Sequence, residues 1–176
     1  KNYKTFVLGA GSNTLIRDSG VKGVVIKLGS KFSNIKLLSK DIIEVGASTL
    51  DRKVSDFAKN NNIGGMEFLA CIPGSIGGAV IMNSGCYGSD ISKILLSIKI
   101  IDDKGKEREL KKEQINFFYR GTDIPENFII LSSDPWIIWI GALIASNEGN
   151  WKETSPEGKK FASLILLRAC LAPSNL

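Results

Sequence analysis

Two glycine-rich loops carry the residues in this chain best suited to chemistry. The first, Val7-Leu8-Gly9-Ala10-Gly11-Ser12-Asn13-Thr14-Leu15-Ile16, lies near the start; the second runs Cys71-Ile72-Pro73-Gly74-Ser75-Ile76-Gly77-Gly78-Ala79 and continues into Asn83-Ser84-Gly85-Cys86-Tyr87-Gly88. Small residues let a backbone approach a ligand closely, and Ser and Asn side chains join main-chain N–H groups in donating hydrogen bonds to phosphate oxygens. Two such loops of different design, roughly 60 residues apart, predict an extended ligand lying across the protein with a pyrophosphate in its middle. That is the shape of a dinucleotide cofactor. For the first loop taken alone, a plain turn between two strands is the alternative.

The first loop is not the dinucleotide fingerprint of a doubly wound sheet, which needs a third glycine at the opening of a helix. Here Ser12-Asn13-Thr14 follows Gly9-Ala10-Gly11, and Leu15 to Gly20 reads as a short strand and a turn. The chain has no histidine, which removes His-based triads, His general bases and most zinc arrangements. No metal site is expected.

The elements that must hold these loops read as alternating strands and helices. Short β-branched runs at Thr5 to Leu8 and Val24 to Leu28 flank the first loop, and Ile35 to Leu38 with Ile42 to Val45 form a hairpin around Ser39-Lys40-Asp41. Thr49 is expected to cap a helix running to Asn60, with Leu50, Val54, Phe57 and Ala58 as its core stripe. A second hairpin, Ile94 to Ile101 with Glu107 to Leu110, turns at Asp102 to Gly105, and Phe128 to Leu131 is a last short strand. This alternation gives an α+β sheet layout.

With Gly65-Met66-Glu67-Phe68-Leu69-Ala70 leading into the second loop and Phe118-Tyr119-Arg120 following it, the order and spacing of these motifs over about residues 5–132 resemble the UDP-N-acetylmuramate dehydrogenase family, also called UDP-N-acetylenolpyruvoylglucosamine reductase. The resemblance implies the FAD-binding fold of the vanillyl-alcohol-oxidase/PCMH type, built from two small α+β subdomains at about residues 1–30 and 31–133. It implies FAD as cofactor, NADPH as hydride donor and a UDP-sugar as substrate, in cytoplasmic cell-wall precursor synthesis. Without histidine, no flavin can be tethered through one, so the FAD is expected to be non-covalent.

Residue by residue, the resemblance makes Arg120 the catalytic arginine, a cation that holds the substrate carboxylate. It makes Gly9, Ala10, Gly11, Ser12, Asn13 and Thr14 contacts of the flavin pyrophosphate. Ile72, Pro73, Gly74, Ser75, Gly77, Gly78 and Ala79 line the isoalloxazine and ribityl side, with Gly46 and Ala47 as a shorter element approaching the cofactor and Asn83 and Gly85 beyond. Tyr87 and Tyr119 join Arg120 at the substrate, with core packing as the alternative for Tyr87. Glu67 and Phe68 read as packing before the loop, and Cys86 as a small packed thiol and not a thioether link. Two alternatives stand beside the reductase: a non-catalytic flavin-binding fragment, and another flavin oxidoreductase of the same cofactor fold.

Composition bounds these readings. At 176 residues, 43% hydrophobic and 23% charged, the chain is ordinary globular material. Its +5 formal charge is scattered, which gives a nucleic-acid partner little support and an anionic ligand some. Three cysteines at unrelated spacings suggest a reducing compartment, and no secretory leader is expected. From about Ser133 the character changes: Trp136, Trp139, Trp151, Pro135, Pro156 and Pro173 all fall in the tail. The apolar run at 135–145 is too short to span a bilayer as a helix, so no membrane partner is expected. The family's proton-donating serine has no counterpart, since neither Ser146 nor Ser155 sits in its motif. Residues 134–176 are therefore expected to be a divergent or out-of-frame extension of a truncated member, with little turnover.

Overall fold

The computed structural model describes residues 4–135. The tryptophans, Ser146, Ser155 and all of the expected tail except the backbone of Asp134 and Pro135 lie outside the described residues.

β1 (Thr5–Val7) and β2 (Val24–Ile26) pair in parallel as a small sheet of their own. Parallel pairing requires a crossover of roughly a dozen residues or more, and the first glycine loop lies in it. The strand expected at Leu15 and Ile16 does not form. Leu15 is 98% exposed, so no burial stabilises an extended conformation there, and the segment ends in a turn closed by the Gly20 N–H on the Arg17 carbonyl at 2.8 Å.

β3 (Ile35–Leu37) and β4 (Ile43–Gly46) make the expected hairpin, with Ile35 opposite Val45. The helix α1 (Asp51–Asn60) follows, but Thr49 does not cap it. Leu50 occupies the cap position, and the Thr49 hydroxyl donates instead to the Asn34 carbonyl at 3.4 Å. In the stripe, Val54 and Ala58 are buried as expected, whereas Leu50 is 47% exposed and turns to a cleft.

A 3-10 turn at Glu67–Cys71 leads into α2 (Ile76–Ile81), a helix the sequence reading left as loop. Gly77 and Gly78 oppose helix formation by propensity. Tertiary bonds override them: the Ile76 N–H donates to the Thr49 carbonyl and the Gly77 N–H to the Ala47 carbonyl, each at 2.9 Å. Next come β5 (Gly85–Cys86) and β6 (Ser89–Asp90), α3 (Ile91–Ile94), and β7 (Leu95–Ile101) with β8 (Glu107–Lys111). The β7–β8 turn is held by the Asp102 carboxylate, whose Oδ1 accepts the Lys104 and Lys106 N–H groups at 2.9 Å each and whose Oδ2 forms an ion pair with Arg108 Nε at 2.7 Å. β9 (Phe117–Phe118), β10 (Gly121–Thr122) and β11 (Ile129–Pro135) complete the described chain.

Five strands form one antiparallel sheet in the order β3-β4-β11-β7-β8. β11, the last in sequence, is central, and it runs across the boundary expected at 133/134. Ile43 and Val45 of β4, Ile98 and Ile100 of β7 and Ile130 of β11 are buried with Val54, Ala58, Ile76, Ala79 and Val80 of the helices. On β4, Glu44 points the other way, and Lys99 of β7 reaches across β11 to it at 2.6 Å. The hydrogen bond from Lys99 holds the Glu44 carboxyl below its ordinary range.

Ile98 is wholly buried in this core, so Ile98→Ala should destabilise the fold by about 2–5 kcal/mol. Chemical denaturation with an unchanged m-value would show it; a loss below about 1 kcal/mol would contradict the assigned core.

Candidate functional site

A single run of backbone bonds sets the second loop. Beyond the two donated by Ile76 and Gly77, the Asp51 N–H donates to the Gly74 carbonyl at 3.2 Å and Leu50 pairs with Ser75 in an antiparallel bridge. Residues 47–51 thus lie zipped along 74–77. A Cβ on Gly77 would stand 3.1 Å from the Ala47 Cβ, so Gly77 packs α2 against β4's end. Neither Gly77 nor Gly78 has a positive φ; close approach, and not backbone angle, is what asks for small residues here.

The first loop faces this one across an open cleft of about 1550 Å³. A Cβ on Gly9 would fall 2.9 Å from Ser75 Oγ and 3.7 Å from the Gly78 Cα, so the loops meet at Gly9, Ser75 and Gly78. Gly11 takes φ +87° at the turn closed by the Thr14 N–H on its carbonyl, and Asn13 Nδ2 reaches Met82 Sδ at 3.9 Å. Common small-molecule pockets hold about 300–1,000 Å³. This cleft suits something longer.

The rim is a β9–β10 hairpin with Tyr119 and Arg120 at its tip. Its base is tied by Asn116 to Asp123 at 2.9 and 2.6 Å, and the Thr122 hydroxyl fastens it to the Ile81 carbonyl at 3.2 Å. Asn83, at the end of α2, donates to the Phe118 carbonyl at 3.3 Å and accepts the Ser92 N–H at 3.0 Å. Asn83, Tyr87 and Arg120 have φ of 41°, 53° and 59°, a region costing about 1–3 kcal/mol for such residues and frequent at functional sites. The Arg120 guanidinium lies 5.5 Å from the Tyr119 ring centroid, and among the described residues no carboxylate pairs with it. It is a cation open to an incoming anion.

Of the residues picked out from the sequence, Gly9 to Thr14, Ala47, Ile72 to Ser75, Gly77, Gly78, Ala79, Asn83, Gly85, Tyr119 and Arg120 all line the cleft. Two do not. A Cβ on Gly46 would strike the Phe32 carbonyl at 2.2 Å, so that glycine admits the backbone of the 3-10 turn at Ser30–Phe32, and Tyr87 stands 64% exposed at the β5–β6 turn outside the lining. Glu67 accepts the Gly65 N–H at 2.9 Å, and the Cys86 thiol donates to the Phe68 carbonyl at 3.2 Å; both are packing interactions.

The sequence reading missed Asp51. Its carboxyl is fully buried at the cleft wall with neither oxygen hydrogen-bonded among the described residues, and burial pushes its pKa up to about 7. In sequence it is an ordinary acid in a helix's first turn; only the fold brings Gly74 down on it. Ser75 Oγ is likewise buried and without a partner.

Residues 1–111 match the FAD binding domain family. The chain belongs to that family. The residues present fit that cofactor on the geometry above: the Ser75 hydroxyl, without a partner among the described residues, lies where the two loops meet, beside Gly78, where a Cβ would meet nothing nearer than Ser75 Oγ at 3.8 Å, and Gly11, where it would meet nothing within 4 Å. The chain is 52% identical over 130 residues to the UDP-N-acetylenolpyruvoylglucosamine reductase of Pelagibacter ubique and 48% identical over 130 residues to that of Rickettsia massiliae, in each case over 74% of this chain and 43% of the relative. It therefore spans about two fifths of the length of these curated relatives. Among solved structures, the Thermus caldophilus UDP-N-acetylenolpyruvylglucosamine reductase superposes with a TM-score of 0.74 at 27% identity, over 98% of this chain and 58% of that one. Quinoline 2-oxidoreductase from Pseudomonas putida 86 shares the fold at 15% identity, with a TM-score of 0.57 over 77% of this chain and 52% of its own.

Two glycine variants separate packing from ligand approach. Gly77→Val should lower the melting temperature by forcing Ala47 away, whereas Gly78→Val should leave the melt near wild type and weaken FAD binding tenfold or more, about 1.4 kcal/mol. Fluorescence titration with FAD checks the second, and unchanged affinity would contradict the assignment. Asp51 predicts a pH effect. Its folded pKa lies above the unfolded value of about 3.9, so the stability that Asp51 contributes is fully present below about pH 4, is lost as pH rises to 7, and changes no further beyond. The total is on the order of 4 kcal/mol, and Asp51→Asn should abolish the decline in denaturation midpoints.

Proposed function

We propose that this chain supplies the cofactor cleft and the substrate-binding cation of a UDP-N-acetylenolpyruvoylglucosamine reductase, which converts UDP-N-acetylglucosamine enolpyruvate to UDP-N-acetylmuramate with NADPH as hydride donor. The observation that carries the reading is the placement of Tyr119 and Arg120 on the same cleft as both glycine loops. Bound FAD would supply the relay of hydride from NADPH to the enol-ether carbon.

The chain's own residues do the rest by position and charge. Loop 9–14 and Ser75 donate to the cofactor pyrophosphate, and residues 72–79 lie along its ring side. Arg120 holds the enolpyruvyl carboxylate with its planar fork, where negative charge gathers as the hydride arrives. A lysine would offer a point charge without the fork. Tyr119 presents its ring beside the guanidinium, and Tyr87 is open to a substrate that extends beyond the cleft. Residues 1–133 form the flavin-binding region in this reading. The three cysteines, at spacings that build no disulfide framework, support a reducing, cytoplasmic setting for peptidoglycan precursor synthesis.

Arg120→Lys in the protein that carries this chain should keep FAD affinity within about twofold and cut sugar-dependent NADPH oxidation by roughly 10²–10³-fold, the range for losing one oriented charge-stabilising donor. NADPH oxidation that ignores the enolpyruvyl sugar would overturn the proposed reaction. Weaker FAD binding with turnover per bound flavin unchanged would make Arg120 a cofactor ligand instead.

A further inference from the structure

We infer that Asp51 is a positioning residue for the cofactor loop: held as a neutral acid against Gly74, it keeps the 72–77 turn in the shape that receives FAD, and its ionisation releases that turn. This rests on the FAD reading of the cleft.

The carboxyl and the turn are fixed to one another by contact. Both carboxyl oxygens are buried, and the Gly74 Cα lies so close that a Cβ there would be 2.4 Å from Oδ2. The Asp51 N–H holds the Gly74 carbonyl, Leu50 pairs with Ser75, and the Gly74 N–H closes a tight turn on the Ile72 carbonyl at 2.9 Å. Moving the carboxyl therefore moves Gly74, and with it Ser75, whose hydroxyl faces the first loop.

Among the described residues, nothing beside Asp51 compensates a charge. On α1, Arg52, Lys53 and Asp56 are exposed. The 3-10 turn packed against α1 contributes Glu67, engaged with the Gly65 N–H, and the exposed Cys71. Residues 46–50, 72–78 and 9–14 contain no titratable side chain. Desolvation alone raises the pKa, to about 7. An ionised carboxylate in such a place must gain water, and the wall lacking a side chain is the one Gly74 provides. Water entering there displaces the turn from the cofactor. Strongly perturbed acids of this kind gather at functional clefts, and Asp51 stands at the wall of this one.

The test is FAD affinity against pH, read by fluorescence from about pH 6 to 9. For wild type the dissociation constant should be level below about 7 and rise by up to about tenfold per unit above it, while Asp51→Asn, neutral throughout, should bind as tightly at high pH as at low. A purely structural acid would change stability and leave both affinity profiles alike, which would overturn the inference. Should the variant not fold, calorimetric titration of wild type near pH 7.5 in two buffers of different ionisation enthalpy replaces it: uptake of most of one proton per FAD supports the inference, and none overturns it. Absence of FAD binding at every pH would overturn the cofactor reading itself, whereas pH-independent binding overturns this inference alone.

Discussion

The backbone zipper between residues 47–51 and 74–77 is the constraint on which the remaining structure depends. Three amide donations, from Ile76 to Thr49, Gly77 to Ala47 and Asp51 to Gly74, turn a segment of poor helix formers into α2 and lay it over the end of β4. Such bonds contribute about 1 kcal/mol each net, but leaving their groups buried and unpaired would cost more. Each consequence follows from this one join. α2 presents Gly78 and Ser75 to the first loop, the Ile81 carbonyl at its far end accepts from Thr122 while Asn83 just beyond donates to the Phe118 carbonyl, fixing the β9–β10 hairpin, and that hairpin carries Arg120 to the cleft.

The cleft wall holds two polar groups the fold itself does not satisfy, the Ser75 hydroxyl and the Asp51 carboxyl. Buried polar atoms without partners are uncommon, and each calls for a physical reason. For Ser75 the reason lies across the cleft, where a phosphate oxygen can accept. For Asp51 it lies in protonation, because a neutral carboxyl avoids the charge burial that has no counter-ion here. The rim has the opposite character: Arg120 is charged, exposed and held in a strained backbone conformation by bonds made elsewhere in its hairpin.

Much of this was legible before any coordinates. Both glycine loops, the two longer hairpins and the end of α1 were readable because turn residues and β-branched runs act locally; the Tyr119-Arg120 pair stood out only through the family resemblance. What failed was decided by distant contacts. Thr49 looks like a cap, yet Asn34 takes its hydroxyl. Leu15 and Ile16 look like a strand but find no partner, and Leu50, in phase with Val54, opens to the cleft instead of the core. Helix α2 was invisible since its glycines argue against it, and Asp51 was invisible since its burial depends on Gly74, more than 20 residues away.

The central claim is that the two loops jointly hold the FAD pyrophosphate, and a crystal structure of the chain grown with FAD tests it most directly. The account predicts pyrophosphate density within hydrogen-bonding distance of Ser75 Oγ and of main-chain N–H groups in residues 9–14, with Gly9 and Gly78 in van der Waals contact. Flavin density that leaves Ser75 Oγ without an acceptor, or a pyrophosphate bound away from both loops, would contradict it.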